Sequence, residues 1–333
     1  MSANAPDSEI NRRTFLLRLM KAGALIGGAG AFSFWLYDGH GPGPSGERSS
    51  ELVSLPDFSM PELGARISII TGNDRPAAVN LGLKALGGIE TFIQRGDRVL
   101  IKVNAAFASP PILSATTNPE LLAAVVRLCL AAGAASVVVT DNPINDPQSC
   151  FVLTGIGEAA RTAGARVMLP SDRFFFPTTV PQGRLIREWP LLYDPFEGVT
   201  KLIGMAPVKD HHRSGASMIM KNWYGLLGGR RNIFHQDIQN IICELAMMVK
   251  PTLVILDGVT TMMTNGPTGG SLSDLKQTNT LIVSTDQVAA DAVGATLLGK
   301  TPQDLPFILK AQAMGLGTAD FESLNPARAA VAG

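Results

Sequence analysis

Three of the chain's four histidines fall between Lys209 and His235, with two lysines, three arginines and an adjacent Trp-Tyr pair. Lys209, Lys221, Arg230 and Arg231 supply fixed cations, and the two guanidinium groups suit a carboxylate or phosphate held by paired hydrogen bonds. Gly225, Gly228 and Gly229 let backbone N–H groups approach a bound anion closely. Together they predict an anionic ligand. The bland alternative is a solvated basic loop, the ordinary place for Arg and Lys. Trp223 and Tyr224 weigh against it, because aromatic side chains pack or stack. His211, His212 and His235 are candidates for metal ligation, acid–base work or plain hydrogen bonding, and their spacing is not that of a zinc site. Neighbouring residues of a strand point to opposite faces, so at most one of His211 and His212 enters the site unless the backbone turns there.

Positioning these groups requires a scaffold, and the periodicity supplies one. Strands are predicted at 66–71, 98–103, 136–140, 166–169, 202–207, 253–256 and 280–284. Helices are predicted at 76–86, from Asn118-Pro119 to Gly133, at 157–163, at 237–250 and from the Asp286 cap to Leu298. This order implies an α/β fold, a mostly parallel sheet covered by helices on both faces and Rossmann-like in layout. Ligands of such sheets sit at the carboxyl ends of the strands. Polar residues leave several of those ends: Asn104, Asp141 and Asn142, Lys209 and His211, and Asp257. Asn265, Gly266 and Gly269 belong to a Gly/Pro loop after the Asp257 strand, suited to a lid or an anion nest. Residues 51–324 read as one domain with an irregular insert near 171–200, and 325–333 as a flexible tail.

Other motifs fail on context. Gly155-Ile156-Gly157-Glu158-Ala159-Ala160 fits G-x-G-x-x-A, but its helix ends at Gly164 after two turns, so there is no valid dinucleotide fingerprint. No phosphate-binding G-x-x-x-x-G-K-S/T occurs. Gly215-Ala216-Ser217-Met218-Ile219 lacks the closing glycine of a nucleophile elbow. Cys129, Cys150 and Cys243 lie far apart, which argues against an iron–sulfur cluster bound by this chain alone. The 28 basic and 28 acidic residues balance, which leaves no electrostatic case for a nucleic-acid partner.

At the N-terminus, Asn11-Arg12-Arg13-Thr14-Phe15-Leu16-Leu17 resembles the twin-arginine export signal. The apolar run Ala22 to Leu36 that follows is short of the roughly 20 residues that span a bilayer comfortably. Residues 1–38 therefore read as an export signal or an uncleaved membrane tether, and 39–50 as a Gly/Pro/Ser linker. Export predicts a periplasmic or other extracytoplasmic location, with the twin-arginine machinery as a partner.

Taken in order, Leu100-Ile101-Lys102-Val103-Asn104, Thr140-Asp141-Asn142-Pro143, Lys209-Asp210-His211, Met220 to Gly225, Arg231 with His235, Asp257-Gly258, Gly266-Pro267-Thr268-Gly269 and Asp286 to Asp291 resemble the family called domain of unknown function 362. Many relatives are linked to redox contexts, and some carry a ferredoxin-like cysteine module that this chain lacks. Residues 228–234 are also similar to a glycine-basic segment of nickel-pincer lactate racemases, with Arg231 where that group attaches its cofactor through lysine.

The leading expectation is an exported protein that holds an anionic small molecule with Asn104, Lys209, Lys221, Asn222, Arg230, Arg231 and the 265–269 loop. In its catalytic form it is a cofactor- or metal-assisted oxidoreductase, with His211 or His235 as acid–base group or metal ligand and Asp257 orienting it. The sequence names no cofactor; the histidines leave a metal ion open, and the cysteine spacing argues against an iron–sulfur cluster. The alternatives are a noncatalytic extracytoplasmic binding protein for an anion or metal, and a structural or chaperone partner of a redox complex.

Overall fold

Short β-branched runs bounded by turn residues build the sheet. The computed structural model describes residues 12–35 and 51–331, and the chain divides into two units, Met1–Gly46 and Glu47–Gly333. In the first, α1 (Arg12–Trp35) begins at the paired arginines. Among the described residues no helix is long and apolar enough to cross a membrane. The predicted linker at 39–50 lies outside the described residues.

The second unit runs β1 (Ile67–Thr71), α2 (Arg75–Ala85), β2 (Arg98–Lys102), α3 (Pro119–Ala131), β3 (Ser136–Thr140), α4 (Pro147–Leu153), α5 (Ile156–Thr162) and β4 (Arg166–Val167). There follow β5 (Phe175–Thr178), β6 (Trp189–Leu192), β7 (Lys201–Lys209), α6 (Ile219–Asn222), α7 (Ile238–Met248), β8 (Leu253–Met262), β9 (Leu275–Ser284), α8 (Gln287–Leu297), α9 (Pro306–Ala313) and β10 (Ala327–Ala330). The fold is α/β, with a sheet ordered β10-β1-β9-β8-β7-β2-β3-β4. Its neighbours are parallel except where β9 lies antiparallel to β1 and β8. Helix starts follow their caps: Asp74, Asn118 and Asp286 each accept backbone N–H bonds at the heads of α2, α3 and α8.

Alternation along the strands feeds two cores. Leu100, Leu202, Val254 and Leu256 pack with α6 to α9 on one face. Val99, Ile101, Ile203 and Ile255 pack with α2, α3 and α5 on the other. Residues 171–200 carry a separate antiparallel hairpin of β5 and β6. The loop between these two strands is held by Glu244 of α7, which is buried and accepts from the backbone N–H groups of Arg184, Leu185 and Ile186 at 2.6–3.0 Å. Glu244→Ala leaves three donors without their acceptor and is expected to cost about 2 kcal/mol, read from the urea midpoint.

The tail departs from its reading as loose chain. β10 pairs in parallel with β1 from Ser68↔Ala327 to Thr71↔Ala330, because the open edge of β1 offers its backbone groups to a segment whose side chains contribute little.

Candidate functional site

Strands β8, β7, β2 and β3 are neighbours and parallel, so β7, β2 and β3 deliver Lys209, Lys102 and Asp141 to one edge. That edge opens into a cavity of about 780 Å³. Asn104, Lys209, His211, Lys221, Asn222, Arg231, His235, Asn265, Gly266 and Gly269 all line it, as do Lys102, Phe107, Asp141, His212 and Tyr224. The segment carrying Lys221 is fixed from α8. Buried Asp291 accepts from the N–H groups of Ile219 and Met220 at 2.8 and 3.1 Å, and Gln287 accepts from the Trp223 indole at 2.8 Å. Burial pushes Asp291 up to about 7, against the two backbone donors that favour its charged form.

The hydrogen bonds sort the cations. Lys102 pairs with Asp141 at 2.8 Å and donates to the side-chain oxygen of Asn222 at 2.7 Å and to its backbone carbonyl. All three of its N–H donors therefore have partners. Asn222 also accepts from Asn104 and donates to the Met205 carbonyl, which fixes it as scaffold. Gly225 lets this pair form, since a Cβ there would stand 2.0 Å from Asp141 Oδ1. Arg231 donates to four backbone carbonyls, of Tyr224, Leu227, Asn142 and Pro143, at 2.7–3.1 Å. Its two terminal nitrogens therefore staple two loops together, which leaves only Nε–H of the fork for a ligand.

Two ammonium groups remain. Lys209 donates to the Ala115 carbonyl at 2.6 Å and to Asn104 at 3.3 Å, which leaves one donor open. Lys221 has no hydrogen bond or ion pair with any described residue; its ammonium sits 5.3 Å from the Tyr224 ring centroid. Burial lowers Lys209 to about 7, helped by the charge on Lys221 and opposed by Asp141. Burial also lowers Lys221 to about 8, with Arg231 and Lys102 adding to the effect. Four cations and one carboxylate line the cavity, so a ligand without charge leaves this repulsion in place.

The histidines divide as well. The backbone turns after Lys209, and both His211 and His212 line the cavity. Nδ1 of His211 accepts from the N–H groups of Arg213 and Ser214 at 3.1 and 3.2 Å. It therefore carries no proton, and the neutral ring holds its proton on Nε2. Burial, then Lys221, drives its pKa far below the imidazole range. His211 is thus a neutral donor through Nε2–H. A ¹⁵N-edited spectrum is expected to show it as the Nε2–H tautomer from pH 5 to 9. Tyr224 donates its hydroxyl proton to the Arg231 carbonyl, so its oxygen accepts from His235 Nδ1 at 3.1 Å and leaves His235 Nε2 with a lone pair. Burial, then Lys221, lowers His235 to about 4. The three imidazoles stack, with His211 4.9 Å from His212 and 5.9 Å from His235 between centroids. Stacked rings do not aim their in-plane nitrogens at a common point. Among the described residues no group of three or more His, Cys, Asp or Glu side chains is placed to hold a metal ion.

The 265–269 loop covers one side. Asp274 holds its base by accepting from Thr264 and Asn265 at 2.8 and 2.6 Å. Gly266 lies so close to the Asp210 carbonyl that a Cβ would meet it at 1.9 Å. Two expected site residues lie elsewhere. Asp257 does not line the cavity: its carboxylate takes Arg75 at 2.7 Å and the Val259 N–H at 2.9 Å. It therefore cannot orient His211 or His235. Arg230 is exposed and outside the cavity. Lys102 and Phe107 join the lining without having been assigned a role from sequence. A lysine inside the apolar run Val99–Val103 is the signal that marks the first.

A family model described as domain of unknown function (DUF362) matches residues 99–296. A thylakoid-associated protein of Synechocystis sp. (strain ATCC 27184 / PCC 6803 / Kazusa) is 25% identical over 266 residues, which cover 75% of this chain and 78% of that protein. The lactate racemase apoprotein from Thermoanaerobacterium thermosaccharolyticum superposes with a TM-score of 0.38 at 11% identity, over 71% of this chain and 60% of that one.

Proposed function

The chain belongs to the domain of unknown function (DUF362) family, and we propose that it is an exported protein whose cavity binds an anionic small molecule. The observation that supports this best is the pair of buried ammonium groups, Lys209 and Lys221, neither in an ion pair with a carboxylate among the described residues. A buried cation without a counter-charge costs folding energy, and an oxyanion between the two offsets that cost. His211 adds a neutral Nε2–H donor. Calorimetric titration of the full chain with small oxyanions tests the reading: saturable binding is expected, and heats no larger than dilution with phosphate, sulfate and carboxylates alike would overturn it.

Catalysis is the second reading, favoured by the lone pair on His235 Nε2. That nitrogen is the basic group left for a bound substrate, or for the metal of a metal-assisted oxidoreductase. Export rests on Arg12 and Arg13 at the head of α1 and makes the location extracytoplasmic, with the twin-arginine machinery as a partner. Replacing both arginines by lysine is expected to hold the protein in the cytoplasm, measured by cell fractionation.

A further inference from the structure

We propose that the ligand is an amphipathic organic acid, its oxyanion head held by Lys209, Lys221 and His211 and its ring-sized apolar body laid against Phe107, Tyr224 and Ile144. This rests on the anion-site reading above and adds the chemical class of the ligand.

The cavity is graded from charge to apolar surface. Lys209 and Lys221 are 1% and 9% exposed, whereas Phe107 is half-buried and Ile144 is 66% exposed. A bound molecule thus meets the two ammonium groups and Tyr224, 8% exposed, at the buried end, and Phe107 and Ile144 at the exposed one. Each ammonium also stands beside a ring: Lys209 lies 5.4 Å from the Phe107 centroid and Lys221 5.3 Å from that of Tyr224. A head group that reaches both lysines is therefore flanked by aromatic surface. The open donors on this lining are one N–H on Lys209, three on Lys221 and Nε2–H on His211. Size points the same way, because about 780 Å³ falls within the roughly 300–1,000 Å³ of pockets that enclose drug-sized molecules. An inorganic oxyanion leaves most of that space to water and leaves Ile144 uncovered.

A ring-sized body buries on the order of 150 Å², while a tenfold gain in affinity needs only about 55 Å² of apolar surface covered. Full-chain protein titrated at pH 6.5 with 2-naphthoate, acetate, inorganic phosphate and neutral 2-naphthalenemethanol tests the inference. Naphthoate is expected to bind at least tenfold more tightly than acetate or phosphate, and the neutral alcohol at least tenfold more weakly than naphthoate. Ile144→Ser is expected to remove most of the naphthoate advantage while acetate affinity stays unchanged, and Phe107→Ala, which also strips the ring from beside Lys209, to lower naphthoate affinity more than acetate affinity. Ile144 is a surface position, so that variant keeps the test open if Phe107→Ala fails to fold. Acetate or phosphate binding as tightly as naphthoate would overturn the ligand class and leave the anion site standing. Alcohol binding as tightly as the acid would remove the head-group assignment. Absence of binding by every anion would remove both this inference and the anion site.

Discussion

Lys221→Met is expected to give a protein that is more stable without ligand and at least 100-fold weaker for anions. Lys221 is 9% exposed and has no hydrogen bond to lose among the described residues, so the substitution removes a buried charge and orphans no partner there. An ammonium held at about 8 instead of 10.5 carries a folded-state penalty on the order of 3 kcal/mol, at about 1.4 kcal/mol for each tenfold change in proton binding. Methionine has a similar length and no charge, so part of that penalty returns as stability, roughly 1–3 kcal/mol by analogy with other buried charges replaced by apolar residues. The sign with pH is fixed. The folded pKa lies below the unfolded one, so the unfolded chain binds more protons between about pH 8 and 10.5, and wild-type stability rises across that window. The stabilisation by Lys221→Met is therefore greatest below pH 8 and shrinks above it. Binding moves the other way, because losing one of the two open ammonium groups costs about 3 kcal/mol or more. Denaturant midpoints with and without saturating anion measure both effects. A variant less stable than wild type at pH 6.5 that keeps its affinity would show Lys221 to be structural.

This opposition explains why the site was legible in sequence while its wiring was not. Cations and imidazoles crowd into residues 209–235 of a chain with only 17% charged residues, and types alone can show that concentration. Which cations stay free depends on backbone carbonyls in loops distant along the chain. Arg231 finds carbonyls at 142 and 143, and Lys102 finds Asp141. Neither partner is visible from spacing. The tautomer of His211 likewise follows from a turn at 211–214 that aims two N–H groups at Nδ1.

The strands and helices were legible because they alternate or repeat strongly, and Ser136–Thr140 matches its predicted bounds. Asp257 shows the limit. Asp257-Gly258 reads as a strand end, yet β8 continues to Met262 with a register shift between Gly258 and Thr260. Arg75 neutralises the carboxylate, which lets an acidic residue sit within a buried strand and takes it away from the histidines. β10 fails to show for the converse reason: its pairing is made by backbone groups, and its residues carry no β signal of their own.

Anion affinity is expected to fall between pH 6 and pH 9 by on the order of 10² to 10³. At pH 6 Lys209, near 7, and Lys221, near 8, are both charged in the free protein; by pH 9 both are largely neutral. A bound anion favours the ammonium form and raises both pKa values, so binding takes up protons in this window. The uptake is expected to be about one proton per anion at pH 7.5, measurable from the dependence of binding heat on buffer ionisation. His235, near 4, and His211, lower still, stay neutral throughout and contribute nothing to the fall. Asp291, near 7, bonds to backbone and does not line the cavity, so its ionisation acts on stability more than on the ligand. Lys102 holds its carboxylate partner, and Arg231 keeps its charge. A site run by imidazolium would instead lose affinity between about pH 5 and 7 and be flat above. That profile, or an uptake near zero at pH 7.5, would show that the two lysines do not carry the binding.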